Sequence, residues 1–199
     1  MTNYGLKVNT NYNLSDYNEK VMTTAGDVVL FESGVYKIYC DGDIFVKHNI
    51  VNGLMHVTCI SVRDNIKINI EASGCVRGGE AAASSVSDIY HKIISQNKDV
   101  IMNIKVKGVA DNDAKIVYRS SIGGVESSTG MGSQDAKFIM LSNEVEIDAE
   151  PSLDLASNLI LTTHNVAISG VSKEHMFYMN LHGLNNKESE IELVQSFLS

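Results

Sequence analysis

Several features that would narrow the function are missing from this sequence. It has no tryptophan and a single proline, Pro151, in 199 residues. It has no run of roughly 18 apolar residues, so it predicts no membrane-spanning helix. Its first twenty residues are polar and lack the apolar centre of a secretory signal. We therefore expect a cytoplasmic protein with a polar leader over residues 1–20.

Cysteine and positive charge are also scarce. The three cysteines are an odd number, none falls in a Cys-x-x-Cys pair, and they stand at Cys40, Cys59 and Cys75. This pattern argues against a disulfide framework and favours reduced, buried thiols over cluster ligands. The formal net charge of −8 lacks the basic excess that nucleic-acid binding requires, so nucleic acid is not an expected partner.

Short apolar runs separated by turn residues occupy residues 21–170. Residues 28–31, 35–39 and 44–46 are such runs, and the Asp-Gly-Asp at 41–43 predicts a turn between the last two. Elsewhere apolar residues take every second position, as at Ile66, Ile68 and Ile70 and again at Val100, Met102, Ile104 and Val106. A period of two indicates strands with one buried face.

These strands fit two architectures, an antiparallel sandwich and a solenoid of stacked coils. No repeat of fixed length is visible, so a solenoid would have to be irregular. Residues 80–97 fit neither pattern, because residues 81–87 are small and polar. We expect a loop or a short helix there, forming a mobile connection.

Residues 171–199 change to helical signals. Ser172 is a good N-cap, Glu174 falls in the first turn, and Gly183 stands where a helix ends, so the sequence predicts a helix over 173–182. Asn185 and Glu188 have the spacing of a capping box that starts a second helix.

The second helix carries an apolar stripe formed by Ile191, Val194, Phe197 and Leu198, which must lie on the protein body or on another chain. We expect Leu193 and the Phe177–Tyr178 pair to help seat the two helices.

A series of short segments in the last 80 or so residues resembles the C-terminal core of the SufB/SufD family, the scaffold proteins of iron–sulfur cluster assembly. The matching segments are FIMLS at 138–142, AEPSLDL at 149–155, Thr163-His164, FYM at 177–179 with HGL at 182–184, and Glu188-Ser189. The resemblance implies a right-handed parallel β-helix over residues 21–170, followed by a pair of short α-helices over 171–199.

The departures from the family pattern point to a SufD-like member. Val145 stands where SufB proteins have a cysteine, six residues before the proline, and Asn165 stands where they have a glutamate after the histidine. His182 replaces an arginine of the family, whereas His164 matches the family histidine. The resemblance thus implies a short SufD-like chain.

The resemblance also implies partners and candidate sites. It implies a homodimer or a SufB-like heterodimer, and docking of an ABC-type, SufC-like ATPase. Iron or a transient iron–sulfur cluster would be cargo, with no firmly bound cofactor. His164 is the candidate metal or cluster residue, and we expect it at a subunit interface or pocket rim. The candidate partner-binding residues are Phe177, Tyr178, His182, Gly183 and Glu188.

Catalytic patterns are weak. The acids at 144, 146, 148 and 150 alternate with Val145 and Ile147, which is typical of one solvated strand face. No Ser–His–Asp spacing is recognisable, and the glycine-rich residues 127–132 lack the lysine of a phosphate-binding loop. We therefore predict a non-catalytic assembly component. The alternative is a stand-alone β-solenoid that binds a ligand or carries an enzymatic site.

Overall fold

The computed structural model describes residues 17–79 and 85–199, and the chain forms strands followed by two helices. The elements are β1 (Glu19–Leu30), β2 (Gly34–Asn49), β3 (Gly53–Ser61), β4 (Lys67–Arg77), β5 (Val86–Ser95), β6 (Val100–Asp111), β7 (Lys115–Gly124), β8 (Gly130–Met140), β9 (Glu146–Leu155), β10 (Ile160–Gly170), α1 (Lys173–Leu181) and α2 (Asn186–Leu198).

The strands form a β-solenoid of about four turns. The strand order is β10-β8-β6-β4-β2-β3-β5-β7-β9, with β1 beside β2. Every pairing between the described strands is parallel. From β3 onwards, even-numbered strands build one wall and odd-numbered strands the other. The solenoid prediction is confirmed, and parallel pairing excludes the antiparallel sandwich.

The predicted turn at residues 41–43 is wrong, because β2 runs through it without a break. The first part of β2 pairs with β3 up to Cys40, and the second part pairs with β4 from Ile44 onwards. The Asp-Gly-Asp segment is therefore a corner at which the strand passes from one wall to the other. Its backbone stays extended, so a turn signal here marks a bend inside a strand.

Equivalent positions in successive coils lie about one coil length apart. Side chains on neighbouring strands of the even wall hydrogen-bond at separations of 34, 30 and 30 residues, in the pairs Asn69–Asn103, Asn103–Ser133 and Asp135–Asn165. Variation in coil length explains why no fixed repeat is visible in the sequence.

The core lies between the two walls and is built by alternation. In β6, Val100, Met102, Ile104 and Val106 are buried, whereas Ile101 and Lys105 between them are exposed. Because the strands are parallel and in register, inward residues stack into columns across coils. One such column runs Val46, Ile70, Ile104, Gln134 and His164.

The expected mobile connection at residues 80–97 is wrong over most of that range. Residues 86–95 form β5, an interior strand paired with β3 and β7, while residues 80–84 lie outside the described part of the chain. Within β5, Ser87, His91 and Ser95 are buried polar residues, which blurred the apolar alternation. Of the predicted leader, residues 1–16 are likewise not described, and β1 begins at Glu19.

The predicted helix starts are confirmed. Ser172 is the N-cap of α1 and accepts from the His175 N–H, and Asn185 and Glu188 form the capping box of α2. Seating by the aromatic pair is wrong, because Phe177 and Tyr178 are 64% and 62% exposed. Polar contacts join the helices instead, since the Asn180 side chain donates to Asn186 (2.8 Å) and accepts from Ser189 (3.1 Å). Neither described helix is long and apolar enough to cross a bilayer.

Candidate functional site

The last coil of the solenoid, β9 and β10, ends the stack. These two strands stand at the two ends of the strand order, so within the described residues each pairs on one side, β9 with β7 and β10 with β8. An unpaired strand edge is a template for pairing with another chain. Pro151 lies in β9 and cannot donate a backbone hydrogen bond, a property that proteins tolerate on edge strands.

His164 lies on β10, in this last coil. Its register partner is Gln134 on β8, and it is the last member of the inward column that starts at Val46. Its side chain is exposed, since no further coil of the described residues covers it. The imidazole therefore stands at the mouth of the solenoid interior, where it can ligate a metal while neutral.

A buried polar pair forms the layer below His164. The Gln134 side chain is 2% exposed, its amide donates to the Ser152 carbonyl at 2.8 Å, and its carbonyl oxygen accepts from the Ser120 hydroxyl. Both walls are thus tied together directly under His164. This polar layer was not predicted from the sequence. The one signal for it is that Gln134 alternates with Ala136 and Phe138 on the inward face of β8.

The neighbour of His164 is also fixed. The Asn165 amide donates to Asp135 at 2.8 Å. Partial burial alone would raise the pKa of Asp135, but hydrogen bonds from Asn165 and Lys137, with the charge of Lys105, outweigh burial and lower it. Asp135 thus stays an acceptor that holds Asn165 on the outer face, while His164 points to the interior side.

Exposed apolar side chains lie on the outer face of the last coil, on the opposite side of β10 from His164. Leu161 is 70% exposed and Leu159 66%, and Met131, the register partner of Leu161 on β8, is 59% exposed. A row of large apolar residues beside an unpaired edge is typical of a surface that another chain covers.

The acidic strand β9 is not a paired-carboxylate site. Lys115 contacts Glu146 at 2.7 Å, and Arg119 contacts Asp148 at 2.7 Å and Glu150 at 3.1 Å. These ion pairs form a ladder on the outer face between β7 and β9. Because each of these acids contacts a basic side chain, they serve to pair the two strands rather than to form a catalytic carboxylate pair.

The cysteines do not form a ligand set. Cys40 and Cys59 are fully buried and Cys75 partly so, and all three are free thiols. The hydrogen bond with Cys40 and burial raise the pKa of Cys59, and burial raises that of Cys75. Because the thiolate is the ligating form, these two favour the protonated, non-ligating form. No group of three or more possible metal ligands occurs in residues 17–79 and 85–199.

The candidate partner-binding residues share the helical end but differ in what they do there. Phe177, Tyr178 and Leu181 project from α1, and the Tyr178 ring packs edge-on against His182 at 4.5 Å. Gly183 adopts a φ of +92°, which ends α1. The Glu188 carboxylate accepts from the Asn185 N–H at 2.8 Å and belongs to the capping box.

A groove of about 660 Å³ separates the helices from the end of β8. It is lined by Leu141, Val171, Lys173, Met176, Phe177, Asn180, Asn186, Lys187 and Glu190. With Phe177 at its rim, the groove and the exposed side of α1 form one continuous surface.

Comparison with known proteins identifies the family. The family described as SUF system FeS cluster assembly, SufBD core domain, matches residues 55–197, from β3 to the end of α2. The chain belongs to the SufB/SufD family. Iron–sulfur cluster assembly SufBD family proteins of Staphylococcus aureus (strain USA300) and Staphylococcus haemolyticus (strain JCSC1435) are 25% identical to it over 144 residues. The match covers 66% of this chain and 31% of each relative, so the chain spans about a third of their length.

Proposed function

We propose that this SufB/SufD-family chain is a non-catalytic component of iron–sulfur cluster assembly that pairs with another SufB/SufD-type chain through its open coil. Membership of the family supports the assembly role. The observation that carries the proposal is the position of His164, which points to the interior at the mouth of the last coil on a strand with an unpaired edge. A partner strand on β9 or β10 would enclose the imidazole and could supply further ligands.

The helical end supports the second half of the proposal, docking of an ABC-type, SufC-like ATPase. Phe177 is solvent-exposed and lines a groove, and exposed aromatic anchors of this kind carry much of the energy of protein interfaces. Leu181 is exposed on the same helix. The helices and the open coil use separate residues. The chain could therefore hold both partners at once.

The role in cluster assembly is tested by measuring iron or cluster uptake that depends on a partner. Uptake is measured anaerobically by visible spectroscopy with a co-expressed SufB-type partner. His164→Ala should lower uptake by about tenfold or more, as expected when a contributor to a metal site is removed.

Thr163→Ala is the matched control, since Thr163 is exposed on the same strand and points to the opposite face. Its uptake should equal that of the wild type. Wild-type uptake by a folded His164→Ala complex would make His164 an ordinary strand residue and would contradict the proposal.

A further inference from the structure

Two histidines meet in the core far from the open coil. His48 lies in the part of β2 that belongs to the even wall, and His91 lies in β5 of the odd wall. Their Nε2 atoms are 2.7 Å apart, and the side chains are buried, His91 completely. The two walls are therefore joined through the interior by one imidazole–imidazole hydrogen bond.

The surrounding groups determine which nitrogen carries the proton. The second ring nitrogen of His48, Nδ1, lies 3.1 Å from the Asn49 carbonyl oxygen, which can only accept. His48 Nδ1 is therefore protonated, and in a neutral ring its Nε2 is an acceptor. It follows that His91 Nε2 donates, which leaves the His91 Nδ1 lone pair without a partner in the described structure.

This arrangement suits two neutral rings and penalises a charged one. A proton added to His91 would go to Nδ1, creating a buried N–H that has no described acceptor. A proton added to His48 would go to Nε2 and abolish the acceptor described for His91 Nε2. Burial lowers the pKa of both histidines, and the neighbouring His48 and His56 lower that of His91 further.

Within residues 17–79 and 85–199, the charged and titratable groups around the pair place no compensating negative charge beside it in the core. On the outer face of the odd wall, Asp88 is engaged by His56 at 3.1 Å. The Tyr118 ring faces His91 from β7, and burial raises the pKa of its hydroxyl, so it stays neutral. Lys47 and Glu71 line a cavity beside His48 from β2 and β4, on the outward-pointing positions of their strands.

That cavity gives the pair access to solvent. It measures about 350 Å³, and His48 contributes to its lining together with Val29, Leu30 and Phe31 at the end of β1. A proton can therefore reach His48 without opening the whole solenoid.

We propose that the His48–His91 pair is an acid-sensitive latch that holds the walls of the first coils together while neutral and releases them on protonation. Because each coil of a solenoid contacts only its neighbours, the loss should be local. The strands that carry the latch, β2 and β5, and β3 and β4 beside them should loosen first. The last coils, with His164 and the open edges, should stay folded.

The direction of the pH effect follows from linkage. A histidine whose pKa is lower in the folded than in the unfolded chain takes up a proton on unfolding. Stability is therefore full above the unfolded value, about 6.5, and is lost as the pH falls below it. Each such histidine lowers the folding equilibrium constant by up to about tenfold per pH unit in this window.

The test is hydrogen exchange of the full chain at about pH 7.5 and about pH 5, corrected for the intrinsic pH dependence of exchange. Amides of β2–β5 should lose protection at the lower pH while those of β7 and β8 keep theirs. Equal loss in all coils, or no loss in β2–β5, would overturn the latch.

Variants give a second readout through denaturant unfolding across the same pH range. His48→Gln with His91→Gln retains polar side chains that do not titrate, so its stability should change less with pH than that of the wild type. His175→Gln, at an exposed position of α1, is the matched control and should keep the wild-type slope.

If the double variant does not fold, NMR of the histidine ring nitrogens in the wild type can report whether His91 is protonated. In the ¹⁵N-labelled chain, His91 should remain neutral at about pH 5 as long as the chain is folded. Titration of His91 near 6.5 without loosening of β2–β5 would refute the proposal.

Discussion

Gly108 lies beside the Phe138 ring on the neighbouring strand of the same wall, where the two residues are register partners. A Cβ at Gly108 would stand 2.6 Å from Phe138 Cδ1, an atom that cannot move without shifting the buried ring. We expect Gly108→Ala to destabilise the protein by about 1–3 kcal/mol through overpacking, measured by urea unfolding. Gly108→Ala combined with Phe138→Leu should recover part of the loss.

Gly170→Ala is the matched control for this residue. A Cβ there meets nothing within 4 Å, so its effect should stay within about 0.5 kcal/mol. If both glycine variants were equally stable, the fit between Gly108 and Phe138 would not be tight in solution.

Individual residues differ in how far the sequence reveals them. The caps at Ser172 and Asn185 were predictable because a cap acts on a backbone group only two or three residues away. Gln134 and His91 were not predictable, because their partners lie on other strands. Only the register between coils makes them a buried polar layer and a cross-wall bond.

Some strands could be predicted from the sequence and others could not. The alternation in β6 marks both its existence and its inner face, since its inward positions are all apolar. In β5, polar inward residues conceal the strand, and in β2 the Asp-Gly-Asp corner imitates a turn. Both errors arise where the fold uses a polar residue or a bend inside a continuous strand.

At the helical end, we expect removal of residues 185–199 to leave the β-solenoid folded. The buried hydrophobic core lies within residues 30–160, all of it in the solenoid, and Ser189 is the only fully buried residue of α2. The truncated chain should keep its strand circular dichroism but lose co-purification with a SufC-like ATPase.

Asn185→Ala provides a graded version of the same experiment. It removes one half of the capping box and should cost about 1 kcal/mol of helix stability, weakening ATPase capture without abolishing it. Full capture by the truncated chain would place ATPase docking outside α2.

For the molecule as a whole, the sequence predicts a parallel solenoid through its resemblance to the SufB/SufD family, while its strand pattern alone leaves a sandwich open. What decides between them is pairing between residues some 30 positions apart, for which the pattern of each strand carries no signal. The open end is likewise a property of the whole stack. It exists because β9 and β10 lie at the two ends of the strand order, and this position cannot be read from the sequence of either strand.

The open end leads to a prediction about assembly. If another copy or a SufB-type chain pairs along β10, a lysine at Leu161 would place a charge in an apolar, edge-adjacent surface, and lysine on edge strands opposes pairing. Leu161→Lys should therefore raise the dissociation constant of the dimer on the order of tenfold or more, measured by sedimentation over a concentration series. Val62→Lys introduces the same charge at a 40% exposed position after β3 and should leave association unchanged. Dimerisation of Leu161→Lys with wild-type affinity would show that the chains associate through another surface, and His164 would then face solvent in the assembled protein.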